Sequence, residues 1–162
     1  MSDMKRPLFV VAFDFSHSAR AALALAARDL SAMGGGSIVV AHAVELPFVP
    51  APIALPGVDG PSDAMAEVER ALDQESRLAL LREVRAVTKD HPNVQTDVDL
   101  VRGPPVEAIL ASVASRGADR VVVGTHGRTG VAHALLGSVA ERVARLSPVP
   151  VVIVKAPPGR AD

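Results

Sequence analysis

The sequence contains no cysteine, no tryptophan and no tyrosine, and its aromatic side chains are four phenylalanines. The lack of cysteine excludes disulfide bonds, thiol catalysis and zinc fingers, and it fits the reducing cytoplasm, where we expect this protein. A formal net charge of −1 without a basic cluster provides no field for a polyanion, and few rings are available to stack on bases. We therefore predict that the protein binds no nucleic acid.

Long apolar runs are also missing. The run at 8–13 ends at Asp14, and no segment approaches the roughly 20 apolar residues that a membrane-spanning helix needs. With 162 residues and 49% hydrophobic content, the chain has enough material for one well-filled core. We predict a single domain, 1–162, with no membrane partner.

Apolar stretches alternate with segments of helical periodicity. Strands are predicted at 8–13, 37–44, 94–101, 119–124 and 149–155, and helices at 16–33, 62–91, 103–116 and 138–146. Gly34, Gly35 and Gly36 are interpreted as the turn between the first helix and the second strand. Regular strand–helix repeats predict an α/β fold, an open five-stranded parallel sheet of order 3-2-1-4-5 with helices on both faces.

Residues 47–61 interrupt this alternation with five prolines in fifteen residues. Proline at that density is compatible with neither a helix nor a central strand. Long connections without regular structure are often lids over binding sites. Since this one follows the second strand on the side where ligands bind, we predict a mobile lid.

The stretch after the fourth strand is rich in glycine. Gly124 ends that strand, Gly127 and Gly130 follow, and Gly137 immediately precedes the last helix. Ligands of such sheets bind beyond the carboxyl ends of the strands, and helix N-termini attract anions there. Glycine lets a phosphate approach the backbone, and Arg128 can add a charge-assisted contact. The pattern indicates a phosphate site.

Two other phosphate motifs do not fit. A P-loop requires Gly-Lys followed by Ser or Thr, which neither Gly124 nor Gly127 provides. The dinucleotide fingerprint requires glycines after the first strand, where the sequence reads DFSHSA. The sequence therefore argues against a Walker NTPase and against a nicotinamide enzyme.

The spacing of Gly124, Gly127, Gly137 and Ser138 (Gly, two residues, Gly, nine residues, Gly-Ser) resembles the ATP-binding motif of the universal stress protein family. The likeness extends along nearly the whole chain, through DFSHSARAAL, VVAHAV, GPPVEAIL, ADRVVVGTHGRTG, LLGSVAERV and SPVPVVIVK.

This resemblance implies roles for particular residues. Asp14 would contact adenine beside the backbone of Ala12, and Ala43, where the family usually has valine, would pack on the adenine ring. Further along, Gly124, Gly127, Arg128 and Gly130 would line the ribose and phosphates, and Gly137, Ser138 and Val139 would hold the outer phosphates. Mg²⁺ would arrive with the triphosphate, because the motif contains no carboxylate cluster.

The function implied by the resemblance is that of a stress-response regulatory protein that senses or stores adenine nucleotide. It would act as a homodimer through 151–155, an apolar edge strand. Hydrolysis would be slow at most, since only His126 and Arg128 lie near the phosphates. The alternatives are a slow ATPase or a nucleotidyl-transferring enzyme of the related α/β group, and a structural partner protein with an empty pocket.

Four of the polar residues have purely structural interpretations. Ser138 and Glu141 have the spacing of a capping box, so that Ser138 can cap the last helix. Asp14 can equally cap the first helix. His42, inside an apolar strand, is predicted to be a packing residue.

Overall fold

The computed structural model of the chain describes residues 6–44, 63–125 and 136–156, with the side chains of 63–69 excepted. The predicted lid at 47–61 and the segment 126–135 lie outside these residues. The lid therefore stays a prediction.

Strands and helices alternate throughout the described residues, and each predicted element is present with its bounds shifted by a few residues at most. The elements are β1 (Leu8–Ala12), α1 (His17–Ala32), β2 (Gly36–Val44), α2 (Asp63–Thr88), β3 (Val94–Arg102), α3 (Pro105–Arg116), β4 (Arg120–Gly124), α4 (Ser138–Leu146) and β5 (Val151–Val154).

The five strands form one parallel sheet of order β3-β2-β1-β4-β5, which confirms the predicted fold class. Val10 of β1 is paired with Val39 on one side and with Val121 on the other. The chain adds strands outward on one side of β1 and then crosses to the other side to form β4. The winding thus reverses between β1 and β4, and a ligand site is expected at their carboxyl ends.

Strand β1 is apolar throughout because it contributes to two separate cores. Phe9 and Val11 point into the core beneath α1 and α2, and Val10 and Ala12 point into the core beneath α3 and α4. Each face of the sheet is therefore covered by two helices, as the fold class predicts.

The turn between α1 and β2 contains two glycines with positive φ, +90° at Gly34 and +115° at Gly35. A Cβ added to Gly35 would lie 2.6 Å from the carbonyl oxygen of Asn93. Both the backbone angle and the close approach require glycine, and the predicted turn is confirmed.

Edge strand β3 carries carboxylates on the face that α3 covers. Asp99 accepts hydrogen bonds from Ser112 and Arg116, and Arg116 also pairs with Asp97 at 2.9 Å. Burial acts to raise the pKa of Asp99, but the hydrogen bonds from Arg116 and Ser112, with the charges of Arg116 and Arg77, outweigh it and lower that pKa. Asp99 is therefore a charged carboxylate in the folded protein, and it binds α3 to the edge of the sheet.

We predict that Asp99→Asn lowers the free energy of unfolding by about 2 kcal/mol at pH 7, because the charged hydrogen bonds are lost. The wild-type carboxylate contributes stability above its unfolded pKa, about 3.9, and loses that contribution as the pH falls through its lower folded pKa. Urea titrations from pH 7 to pH 3 should show the two stability curves converging below about pH 4.

The control is Asp97→Asn: the Asp97 side chain is 48% exposed against 15% for Asp99, so its effect should be smaller. Parallel curves for wild type and Asp99→Asn would contradict the prediction.

Candidate functional site

The chain passes from β1 into α1 through a turn whose side-chain oxygens accept hydrogen bonds from backbone N–H groups at the start of the helix. The Oδ1 atom of Asp14 accepts the N–H of Ser16 at 3.0 Å. Ser16 is the N-cap of α1, and its Oγ accepts the N–H of Ala19 at 3.1 Å. Asp14 is half-buried and takes part in this cap structure.

Phe15 lies between Asp14 and the N-cap Ser16 and has a φ of +66°. No other non-glycine residue among those described has a positive φ. Its ring makes edge-to-face contacts with Phe13 at 5.3 Å and His42 at 5.2 Å between centroids. Nδ1 of His42 donates to the carbonyl oxygen of Phe13 at 2.7 Å. His42 is thus a packing residue, as predicted, in an aromatic cluster at the carboxyl ends of β1 and β2.

Helix α4 begins differently from α1. Gly137, and not Ser138, is the N-cap, and within the part of the chain that the structure describes no side chain makes a capping hydrogen bond there. The capping-box interpretation of Ser138 is therefore wrong: Ser138 is the first helical residue, and Glu141 donates its own N–H to Gly137 at 2.9 Å. The N–H groups of Ser138, Val139 and Ala140 precede this first intrahelical bond and have no acceptor within the helix.

The reason lies in how α4 is attached to the sheet. The N–H of Gly137 donates to the carbonyl of Thr125 at 2.7 Å, and Thr125 in turn donates to Val154 of β5 at 2.9 Å. These bonds hold the helix start against the end of β4, one residue earlier than the capping pattern suggests. They also commit the Gly137 N–H, so that an anion at this point meets the N–H groups of Ser138 and Val139. Ser138 is exposed and Val139 half-buried.

Gly124 is required by the packing of β4 against α1. A Cβ at this position would lie 2.8 Å from both the carbonyl carbon and the Cβ of Ser18. The first turn of α1 therefore crosses the end of β4 at a distance that only glycine permits. The first glycine of the motif is needed by the fold whether or not a phosphate lies above it.

The alanines predicted at the adenine end lie on neighbouring strands. Ala12 is buried and paired with Ala41, and Ala43 is half-buried and paired with Val101. Because side chains alternate along a strand, Ala43 points to the same face as Ala41, towards α3 and α4.

The structure thus brings one part of the predicted site to the carboxyl edge of β1, β2 and β4, and another part lies outside the described residues. The first part comprises Ala12, Asp14, Ala43, Gly124, Gly137, Ser138 and Val139, and the second Gly127, Arg128 and Gly130.

Arg20 is a residue near this edge that sequence reasoning missed. Its Nε and Nη2 bond both carboxylate oxygens of Glu83 on α2, at 2.9 and 2.8 Å, and its Nη1 donates to the carbonyl of Phe15. The hydrogen bond from Arg20 lowers the pKa of Glu83 despite desolvation. Since 63 residues separate Arg20 from Glu83, no local pattern could have shown the pair.

In residues 6–44, 63–125 and 136–156, no three His, Cys, Asp or Glu side chains are grouped to hold a metal ion. Nor does any helix there combine the length and apolar content that a membrane span requires.

Comparison with known proteins identifies one family. The profile of the universal stress protein family matches residues 8–155. A universal stress protein of Thermus aquaticus is 34% identical over 149 residues, 90% of this chain and 96% of that protein. The universal stress protein MJ0531 of Methanocaldococcus jannaschii is 33% identical over 102 residues, 63% of this chain and 59% of that protein.

Solved structures agree with these relatives. A universal stress protein crystallised in complex with cAMP superposes with a TM-score of 0.64 at 27% identity, covering 94% of this chain and 99% of that one.

We predict that Gly124→Ala lowers the free energy of unfolding by about 1–3 kcal/mol, since the new methyl group overpacks against Ser18. Adding Ser18→Gly, which removes the Ser18 side chain but leaves its carbonyl carbon, should restore only part of that loss. Urea denaturation of the wild type, the two single variants and the double variant measures the coupling free energy between the two positions. Fully additive effects would show that the two residues do not meet as described.

Proposed function

Because this chain belongs to the universal stress protein family, we propose that it binds an adenine nucleotide, ATP, at the carboxyl edge of β1, β2 and β4. In this proposal the bound nucleotide regulates a stress response in the cytoplasm, and binding rather than catalysis is the role of the site. The observation that carries the proposal is the start of α4, which no described side chain caps, beside the switch point of the sheet.

Two helices begin near the end of β4, and they differ in their capacity for an anion. At α1, Ser16 and Asp14 already accept backbone N–H groups. At α4, no side chain of the described residues caps the helix, and the N–H groups of Ser138 and Val139 form part of the positive end of the helix dipole. The phosphates therefore belong at α4, with Gly127, Arg128 and Gly130 assigned to them by the family motif.

The adenine is assigned to the other end of the same edge. Asp14 provides a carboxylate there, and the small side chains of Ala12 and Ala43 lie on adjacent strands. Nucleotide binding by a relative supports the proposal in general, since one solved universal stress protein is in complex with cAMP. Mg²⁺ would be held chiefly by the triphosphate, because the described residues contain no cluster of ligands for it.

We predict that Gly137→Asp separates phosphate binding from helix stability. Aspartate is a good N-cap and its charge favours a helix N-terminus, so the free energy of unfolding should be unchanged or rise by up to about 1 kcal/mol. The same carboxylate occupies the N–H groups that the phosphates need and repels them, so the ATP affinity should fall at least about tenfold. Ser138→Ala removes no cap and should leave stability within about 0.5 kcal/mol while weakening ATP binding. Calorimetric titration and urea denaturation measure the two quantities.

Helix α3 offers the matched control, because its N-cap, Pro104, also makes no side-chain capping bond. Pro104→Asp places the same charge at an equivalent helix start away from β4 and should leave the ATP affinity unchanged. Undiminished ATP binding by Gly137→Asp would remove the phosphates from α4.

We also propose that two chains pair through β5. This strand is hydrogen-bonded to β4 on one side. The carbonyls of Val154 and of Pro150, the residue before the strand, point towards β4. By the alternation of parallel ladders, the peptide groups of Val151 and Ile153 point away from the sheet. An apolar edge of this kind favours pairing with another strand, and a two-fold axis lets identical edges pair.

We predict that Ile153→Lys converts the homodimer to monomer, because a charge is placed on the paired edge. Leu72→Lys on α2 is the control: Leu72 is 44% exposed and Ile153 is 39% exposed, so the two changes differ mainly in location. Light scattering across micromolar concentrations gives the molar mass. A wild-type monomer, or an Ile153→Lys dimer, would refute pairing through β5.

A further inference from the structure

Phe15 holds a backbone conformation that its own chemistry disfavours. With φ of +66°, its Cβ crowds the following carbonyl, a strain that glycine would not have. Strained residues of this kind persist only where surrounding contacts hold them, and they concentrate at functional sites. Here the strained residue directly follows Asp14, the carboxylate assigned to adenine.

Two sets of contacts hold Phe15. Its ring packs edge-to-face on Phe13 and His42. Its carbonyl accepts a hydrogen bond from Arg20, and the same guanidinium is fixed by both oxygens of Glu83. The planar fork of arginine makes these bonds together, which a lysine ammonium does not reproduce. Helix α2 thus reaches the β1–α1 turn through one side chain of α1.

We propose that Arg20 is a positioning residue for the nucleotide site: by holding the carbonyl of Phe15, it keeps the turn left-handed and directs Asp14 towards the adenine. The inference rests on the proposed function, because it assigns Asp14 to the ligand. Without the clamp, Phe15 relaxes towards negative φ, and the peptide units on both sides of it rotate. The hydrogen bond from the Ser16 N–H to Asp14 then loses its geometry, and the carboxylate loses its direction.

The expected signature is local. The Arg20 and Glu83 side chains are 42% and 28% exposed, and ion pairs this accessible contribute little to global stability. A merely structural pair would therefore change neither the turn nor ligand binding, whereas a positioning residue changes both.

The test compares Arg20→Met with Arg102→Met. Arg102 also pairs with a carboxylate of α2, Asp73, at 2.7 Å, but its pairing does not involve Phe15. In the nucleotide-free protein, Arg20→Met should accelerate hydrogen exchange of the Ser16 amide at least about tenfold, while core amides of α1 exchange as before. It should weaken ATP binding at least about tenfold by calorimetry, and Arg20→Lys should fall between. Arg102→Met should do neither.

A second variant tests the mechanism. Phe15→Gly adopts positive φ without strain, so the effect of Arg20→Met on ATP affinity should shrink several-fold in that background. Two results would overturn this inference and leave the proposed function intact, provided that the wild type binds ATP. One is an unchanged exchange rate of the Ser16 amide in Arg20→Met, and the other is an unchanged ATP affinity of that variant. A wild type that binds no ATP would overturn the proposed function and this inference with it.

Discussion

The structure depends on the burial of β1 on both faces. Its side chains alternate between two cores while its backbone pairs with β2 and β4. A strand in this position has to be apolar at every residue, and it places its carboxyl end at the point where the winding of the sheet reverses. Asp14, the first acidic residue after the strand, therefore lies at the centre of the edge where we propose that nucleotide binds, as a consequence of the core.

Two helices, α1 and α4, begin at the end of β4, and their first turns differ. Helix α1 approaches so closely that Gly124 has no room for a side chain beside Ser18, and it is capped by Ser16, which accepts the N–H of Ala19, while Asp14 accepts the N–H of Ser16. Helix α4 is attached through the Gly137 N–H to Thr125, and no described side chain caps its first turn. One fold thus presents, side by side, a helix start with a side-chain cap and one without a cap among the described residues, and this contrast supports the proposal that the phosphates bind at α4.

The two edges of the sheet are protected to different degrees. Strand β3 carries Asp97 and Asp99, which Arg116 binds to α3, and charged edges resist pairing with another strand. Strand β5 is apolar and presents Ile153 to solvent. The contrast supports the proposal that a second copy of the chain pairs at β5.

The sequence alone determined the order and type of the elements, because an apolar run such as 8–13 and the helical periodicity that follows it are local properties. It also indicated the glycine-rich edge, since glycine spacing is read directly from the chain. The helix cap at Ser138 was wrong for a tertiary reason: a hydrogen bond from Gly137 to Thr125 sets where α4 starts. Tertiary structure likewise decided that Gly124 serves packing, that Phe15 is strained and that Arg20 meets Glu83. Each of these depends on atoms from distant parts of the chain approaching within a few ångströms, and no pattern of neighbouring residues encodes such a distance.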